Sequence, residues 1–251
     1  MANFKITVEY DGTAYNGWQI QKNTDETIQN YLEKAATRLN KKPVRVQGAG
    51  RTDAGVHALG QVASFQLDVD IPVQKIPLAL NSELPSDIIC HRAEKVPADF
   101  HARYDARGKK YCYRITNNRF PSAFNLRFVY NIYRALDIEK MKRNIKQLEG
   151  RHDFAAFSAS DAEVSDTIRT IKNIDFSSRK TVYPARGKEY LLTIEGDGFL
   201  YNMVRIIAGS LIEVGLGKME PEYQQILATK DRQLAGYTAP AKALTLVEVY
   251  Y

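Results

Sequence analysis

Two hydrophobic periods alternate along this chain, and their order limits the fold more than any other feature of the sequence. Phe4, Ile6, Val8 and Tyr10 alternate with Lys5, Thr7 and Glu9, the two-residue period of a strand with one buried face. Asp11-Gly12 then turns the chain. Ile28, Tyr31, Leu32, Ala35, Ala36 and Leu39 recur at helical spacing, with Thr24 or Asp25 placed to cap the helix. Residues 44–46 and 61–67 read as strands, a short helix starts near Pro72, and residues 88–96 read as a further strand. In the second half Tyr111, Tyr113 and Ile115 share one strand face. Asp137 opens a helix that carries Ile138, Met141, Ile145 and Leu148 and stops at Gly150. Strands near 168–176 and 189–195, a helix over 199–214, a shorter helix from Pro221 and a last strand over 244–250 complete the order. Each half thus spells β-α-β-β-α-β. That order predicts an α+β protein of two ferredoxin-like halves with antiparallel or mixed sheets, residues 1–105 and 106–251, with a ligand cleft between them. No residue-level repeat relates the halves.

A chain of 251 residues, 44% hydrophobic and 25% charged, is long enough to bury its own core. Its two cysteines, Cys90 and Cys112, stand in no zinc-type spacing, so neither a disulfide framework nor a structural metal is expected. The opening MANFKITVEY alternates like a strand and has no apolar leader, and no stretch has the apolar length of a membrane span. The cytoplasm is the expected compartment. The net charge is +6, but it is unevenly spread. Residues 101–146 hold twelve Lys or Arg against three Asp or Glu, a local +9, which leaves −3 for the remainder. The same stretch carries Tyr104, Tyr111, Tyr113, Phe120, Phe124, Phe128, Tyr130 and Tyr133. A stretch of this kind serves either as a solvated basic face or as a surface for a polyanion with stackable bases.

The densest local signal is GAGRTDAGVHALGQ, residues 48–61, where Gly48, Gly50, Gly55 and Gly60 surround Arg51, Asp53 and His57. Glycine at this density marks backbone that turns sharply or lets another chain approach closely. The spacing is neither a dinucleotide fingerprint nor a phosphate loop. His57, His91, His101 and His152 never fall in a metal-ligand spacing, no serine has a nucleophile-elbow frame, and the deaminase signature is missing. One carboxylate in a rigid loop remains, with Arg51 two residues before it. Asp53 so placed acts as a nucleophile, a base or an electrostatic stabiliser, or merely caps the loop with Arg51 as surface partner. His57 reads as a packed, hydrogen-bonded loop residue.

The helix over 199–214 is apolar almost all round, which requires burial. Its single polar line is Asn202, Arg205, Gly209 and Glu213. Arg205 therefore either meets an anionic partner or reaches solvent at the N-terminal end, because an unpaired buried guanidinium is very costly.

Taken together, four segments resemble the tRNA pseudouridine synthase A family. They are YDGTAYNGWQ (10–19), GRTDAGVHA (50–58), DFHARYDARGKKYCYR (99–114) and GDGFLYNMVRIIAGSL (196–211), in the family's order and spacing. Ala243, before the last strand, departs from the glycine of the family pattern. The resemblance implies isomerisation of uridine to pseudouridine at positions 38, 39 and 40 in the anticodon arm of tRNA, by a homodimer that needs no cofactor. It implies Asp53 as the catalytic residue and Tyr111 stacked on the flipped base. Arg51 would fill the space that base leaves, Arg205 would pair with Asp53, and Arg103 would contact phosphates. Two other functions share the pattern: a non-catalytic RNA-binding protein of tandem RRM-like units, and a tRNA chaperone that has lost the chemistry. The strand sequences QVASFQL and EYLLTIE do not carry the aromatic pattern of RRM strands.

The local +9 predicts an affinity for tRNA that is largely electrostatic. The logarithm of the binding constant should fall linearly with the logarithm of salt, by roughly 0.7–0.9 per phosphate neutralised. A binding constant unchanged between low and high salt would contradict this.

Overall fold

The first hydrophobic alternation becomes strand β1 (Ala2–Tyr10) in a computed structural model that describes residues 1–159, 166–181 and 187–251. Helix α1 (Ile28–Asn40), the two-residue β2 (Gln47–Gly48), β3 (His57–Leu67), α2 (Ile76–Asn81) and β4 (Ile88–Val96) follow. Next come β5 (Gly108–Thr116), the short β6 (Tyr130–Asn131), α3 (Ile138–Lys142) and β7 (Gly150–Asp153). The chain ends with β8 (Ile168–Lys180), β9 (Lys188–Gly196), α4 (Met203–Gly215), α5 (Tyr223–Thr229) and β10 (Leu244–Tyr250). These elements make two compact units, Met1–Arg107 with Thr245–Tyr251, and Gly108–Leu244. The class is α+β, as the alternating periods require. Among the described residues no helix is long and apolar enough to cross a membrane.

In the first unit β1 lies between β4 and β3, antiparallel to both, with Phe4 opposite Phe65 and Ile6 opposite Ala63 and Ala93. The other edge of β3 is shared. The short β2 covers Ala63 and Ser64 in antiparallel fashion, and β10 covers His57 and Ala58 in parallel. Phe4, Ile6, Val8, Phe65 and Leu67 from the strands are buried, as are Ile28, Leu32, Ile76 and Leu80 from the helices. Each full burial of such a side chain contributes about 1.5–3 kcal/mol.

Three expectations for this unit need correction. Helix α1 is capped by Thr27, whose hydroxyl accepts the Asn30 N–H, and not by Thr24 or Asp25. The Thr24 hydroxyl instead accepts from the Glu26 N–H, and the Asp25 carbonyl from Thr27, so both are used in the turn before the helix. Residues 44–46 are not a strand. The Val44 N–H goes to the Thr37 hydroxyl at 3.0 Å and the Val46 N–H to the Glu33 carboxylate at 3.1 Å, so helix side chains replace a neighbouring strand. The last strand, expected with residues 106–251, belongs to the first unit. Its ladder partner there is β3, Arg107 N–H bonds to the Tyr250 carbonyl at 2.8 Å, and Tyr251 donates to the Ala102 carbonyl at 2.6 Å.

The second unit orders its strands β6, β5, β9, β8, β7, antiparallel from β5 onward, with β6 parallel to β5. Helix α4 is buried on nearly every side. It starts at Met203 rather than 199 because Asn202 is left-handed, with φ of 60°. The helix expected from Asp137 to Gly150 is broken. Asp137 does cap α3, but Arg143 is extended and Asn144 left-handed, and a 3₁₀ turn over Ile145–Leu148 follows. Met141, Ile145 and Leu148 are still buried, so the helical spacing reported their burial but not continuous helix. Strand β7, only four residues long, has no alternation to reveal it.

Glycine at position 12 is a steric requirement of the first unit. A methyl there would lie 2.0 Å from the Val56 carbonyl oxygen. Gly12→Ala is expected to cost about 1–3 kcal/mol, as overpacking does, read as a lower denaturant midpoint. Gly198→Ala, whose added carbon meets only the Arg169 side chain at 3.5 Å, should stay within about 0.5 kcal/mol of the parent. Equal losses in the two variants would contradict this steric account.

Candidate active site

The glycine-rich segment between β2 and β3 is bonded along its length to residues 10–18 and to the start of β3. The Ala49 N–H donates to the Val62 carbonyl at 2.7 Å, and the Gly50 carbonyl accepts from Gln61 Nε2 at 2.9 Å. The Thr52 carbonyl accepts the Trp18 N–H at 3.0 Å, and its hydroxyl lies 2.8 Å from Tyr10 Oη. The Gly55 N–H reaches the Tyr15 carbonyl at 3.3 Å. His57 is buried, and its Nδ1 accepts the Gly12 N–H at 2.9 Å. The same Nδ1 also lies 3.1 Å from Asp11 Oδ1. This is the packed loop histidine expected from the sequence.

Such contact between two backbones is sterically available only to glycine. A Cβ at Gly17, where φ is +84°, would sit 2.5 Å from the Thr52 carbonyl oxygen, and one at Gly48 would enter the Trp18 ring at 2.4 Å. The opening segment YDGTAYNGWQ and the loop GRTDAGVHA are thus two sides of one packed object. Asp53 begins a tight turn, its carbonyl accepting the Val56 N–H at 3.1 Å, and Gly55 supplies the positive φ of 76° the turn needs. Asp53 itself is half-buried, with buried Thr52 before it and exposed Ala54 after it. The backbone that carries this carboxylate is fixed on both sides of the turn.

Arg51 is exposed, and its Nε–H donates to Gln19 Oε1 at 3.2 Å. Gln19 in turn donates to Gln29 at 2.7 Å, and Gln29 to Glu33 at 3.1 Å on α1. The guanidinium is therefore anchored toward α1 rather than paired with Asp53. Arg103 lies in the same unit on a separate turn. Its guanidinium is 5.7 Å from the centre of the exposed Tyr104 ring, and its N–H bonds to His101 Nδ1 at 3.1 Å.

The other expected site residues belong to the second unit. Tyr111 stands on β5 opposite Ile194, 8% exposed, with its ring edge-on to Phe199 at 5.1 Å. Arg205 sits in the first turn of α4 and is half-buried. Its Nη1 donates to Asn202 Oδ1 at 2.7 Å and its Nε to the Ala239 carbonyl at 2.8 Å. Neutral acceptors thus orient the guanidinium on two sides. The Tyr113 hydroxyl donates to the next carbonyl, Pro240, at 2.9 Å. Burial pushes the Tyr113 phenol far above its ordinary range, and the nearby Arg205 charge partly offsets this.

Tyr10, Thr52 and Gln61 were not foreseen as part of the site. Gln61 is fully buried and lies 3.4 Å from Tyr10 Oη. A glutamine beside a glycine at the start of a strand gives no sequence sign of burial. Burial also pushes the Tyr10 hydroxyl up to about 12, against smaller opposite effects of its bonds to Thr52 and Gln61.

Comparison with known proteins finds relatives along the whole chain. The family described as tRNA pseudouridine synthase matches residues 6–105 and 145–251. Proteins named tRNA pseudouridine synthase A from Acetivibrio thermocellus and Ruminiclostridium cellulolyticum are 46% and 45% identical over 252 residues, covering all of both chains. One of the same name from Lacticaseibacillus casei is 42% identical over 253 residues, again end to end. The chain belongs to the tRNA pseudouridine synthase family. It is an enzyme that isomerises uridine to pseudouridine in tRNA.

The Tyr10 hydroxyl gives this loop a signature in alkali. Below pH 10 the phenol is protonated in both folded and unfolded chains. Between pH 10 and about 12 the unfolded chain ionises first, so stability falls. Tyr10→Phe should cost about 1 kcal/mol at pH 8 through the lost hydrogen bond, and that deficit should shrink as pH rises above 10. Urea midpoints of the two proteins from pH 8 to 11 measure it. A deficit that grows with pH would contradict the assignment.

Proposed function

We propose that this enzyme acts on uridines 38, 39 and 40 in the anticodon arm of tRNA, with Asp53 as its catalytic carboxylate. The observation that carries this reading is the placement of Asp53 on backbone locked by Gly12, Gly17 and Gly55, within a sequence related end to end to proteins named for this chemistry. The reaction breaks the N1–C1′ bond of uridine and forms C5–C1′; the C5 hydrogen leaves as a proton and N1 takes up a proton, so the product is an isomer of the substrate. No electrons are gained or lost, so the chemistry calls for no redox cofactor. A carboxylate serves it by attacking C1′ or C6, or by removing the 2′ proton.

The remaining site residues take the following roles in this reading. Tyr111, backed by Phe199, stacks on the extruded base and keeps the detached uracil from escaping. Arg205, already oriented by Asn202 and Ala239, supplies the positive charge that holds Asp53 ionised. Arg51 fills the gap left in the RNA when the target base flips out, and Arg103 binds phosphate. The enzyme works as a homodimer in the cytoplasm, where its substrate is.

Release of tritium from tRNA labelled at uridine C5 tests these assignments directly, because only C5–C1′ bond formation expels that hydrogen. Asp53→Asn should abolish release while leaving tRNA affinity nearly intact, since most affinity comes from phosphates elsewhere. Tyr111→Phe keeps the stacking ring but removes a hydroxyl that takes part in proton transfer, so it should lower turnover about 10²-fold with binding retained. Arg205→Met should lower turnover strongly and raise the pH at which activity appears. Wild-type release by Asp53→Asn would refute the catalytic assignment.

A further inference from the structure

We propose that the segment between β5 and β6, residues 117–129, together with Tyr133, is a second RNA-binding surface that stacks on unpaired tRNA bases other than the isomerised uridine. This rests on tRNA being the substrate. Nothing in the chemistry at Asp53 calls for this segment.

Its base is firmly built. The Ile132 N–H donates to the Thr116 carbonyl at 2.8 Å, and Asn117 Nδ2 donates to the carbonyls of Ile132 and Arg134, both at 2.7 Å. Asn131 Nδ2 returns to the Asn118 carbonyl at 3.0 Å. A segment tied in this way presents its tip in a defined place. That tip exposes aromatic rings, which a merely solvated basic face does not need. Phe120 is 71% exposed, Phe124 80% and Tyr133 77%. Arginines accompany the rings. The Arg119 guanidinium lies 5.4 Å from the Phe120 ring centre, and that of Arg127 5.9 Å from the Phe128 ring.

Charge identifies the partner. Residues 106–136 contain seven Lys or Arg and no Asp or Glu. Rings for stacking combined with a local excess of cations match the two faces of single-stranded RNA, its bases and its phosphates. A second copy of this chain fits less well. A twofold contact through the segment would set Arg119 and Arg127 against the same residues of the partner, with no carboxylate in the segment to balance them.

Two variants of the full-length enzyme test the proposal. Phe120→Ala with Phe124→Ala should weaken tRNA binding by about tenfold or more without changing the slope of affinity against salt, since stacking releases no counterions. Arg119→Gln with Arg127→Gln should reduce that slope instead. Phe124→Trp supplies a readout that does not depend on the alanine variants folding. Its emission should be quenched by tRNA and by an unpaired oligonucleotide, but not by a fully paired RNA duplex of equal charge. Equal quenching by the duplex, an unchanged affinity in the phenylalanine variant, or conversion of a dimer to a monomer by that variant would overturn the proposal. Tritium release by the wild type, measured in parallel, separates failure of this surface from failure of the isomerase assignment.

Discussion

Direct contact between two backbones, residues 11–17 against residues 50–57, is the constraint on which the first unit of this protein depends. Ordinary side chains hold neighbouring backbones apart, and sheet pairing is the usual way around that. Here glycine removes the obstacle on both partners. Gly12 meets the Val56 carbonyl, Gly17 meets that of Thr52, and Gly48 lies against the Trp18 ring. The hydrogen bonds at Gly12, Trp18 and Gly55 are then geometrically available. Buried Tyr10, Thr52 and Gln61 close the polar groups that this packing would otherwise strand. Asp53 is carried on the result. The backbone that carries Asp53 is thus fixed by its own packing, and in the proposed reading catalysis gains from groups that need no reorganisation at the moment of reaction.

The second unit uses a different device for the same end. Its candidate residues stand on regular elements, Tyr111 on β5 and Arg205 at the start of α4. What fixes them is local. The Phe199 ring meets that of Tyr111 edge-on. Left-handed Asn202 ends the loop before α4, and its side chain accepts from Arg205 one turn on. The backbone at Ala239–Pro240 offers successive carbonyls to Arg205 and Tyr113.

Much of this was legible in the sequence because it was written in period or in glycine. Strands β1 and β4 and the last strand follow their alternation, and the dense glycines around Asp53 marked a close approach before its partner was known. The partner was hidden because Gly12 and Gly17 are two separate glycines in a segment of otherwise ordinary composition. The misread parts have physical causes of the same kind. Residues 44–46 have strand-like side chains, but their N–H groups are taken by Thr37 and Glu33. The helix after Asp137 keeps its apolar spacing across a break at Arg143 and Asn144, since a 3₁₀ turn buries Ile145 and Leu148 just as an α-turn would. The allegiance of the last strand depends on its long-range pairing with His57 and Ala58, which no local pattern encodes. Nor does any local pattern encode the bond of Arg51 to Gln19, thirty-two residues away.

Hydrogen exchange at three backbone amides measures the preorganisation of the loop most directly. The Trp18, Gly55 and Val56 N–H groups each bond across or within the contact between the two segments. In the enzyme without RNA they should exchange only through large-scale unfolding, with protection close to that of the core strands and little changed by added tRNA. Exchange within about tenfold of the unstructured rate, becoming slow only when tRNA is bound, would show that the substrate builds the loop and would contradict the account.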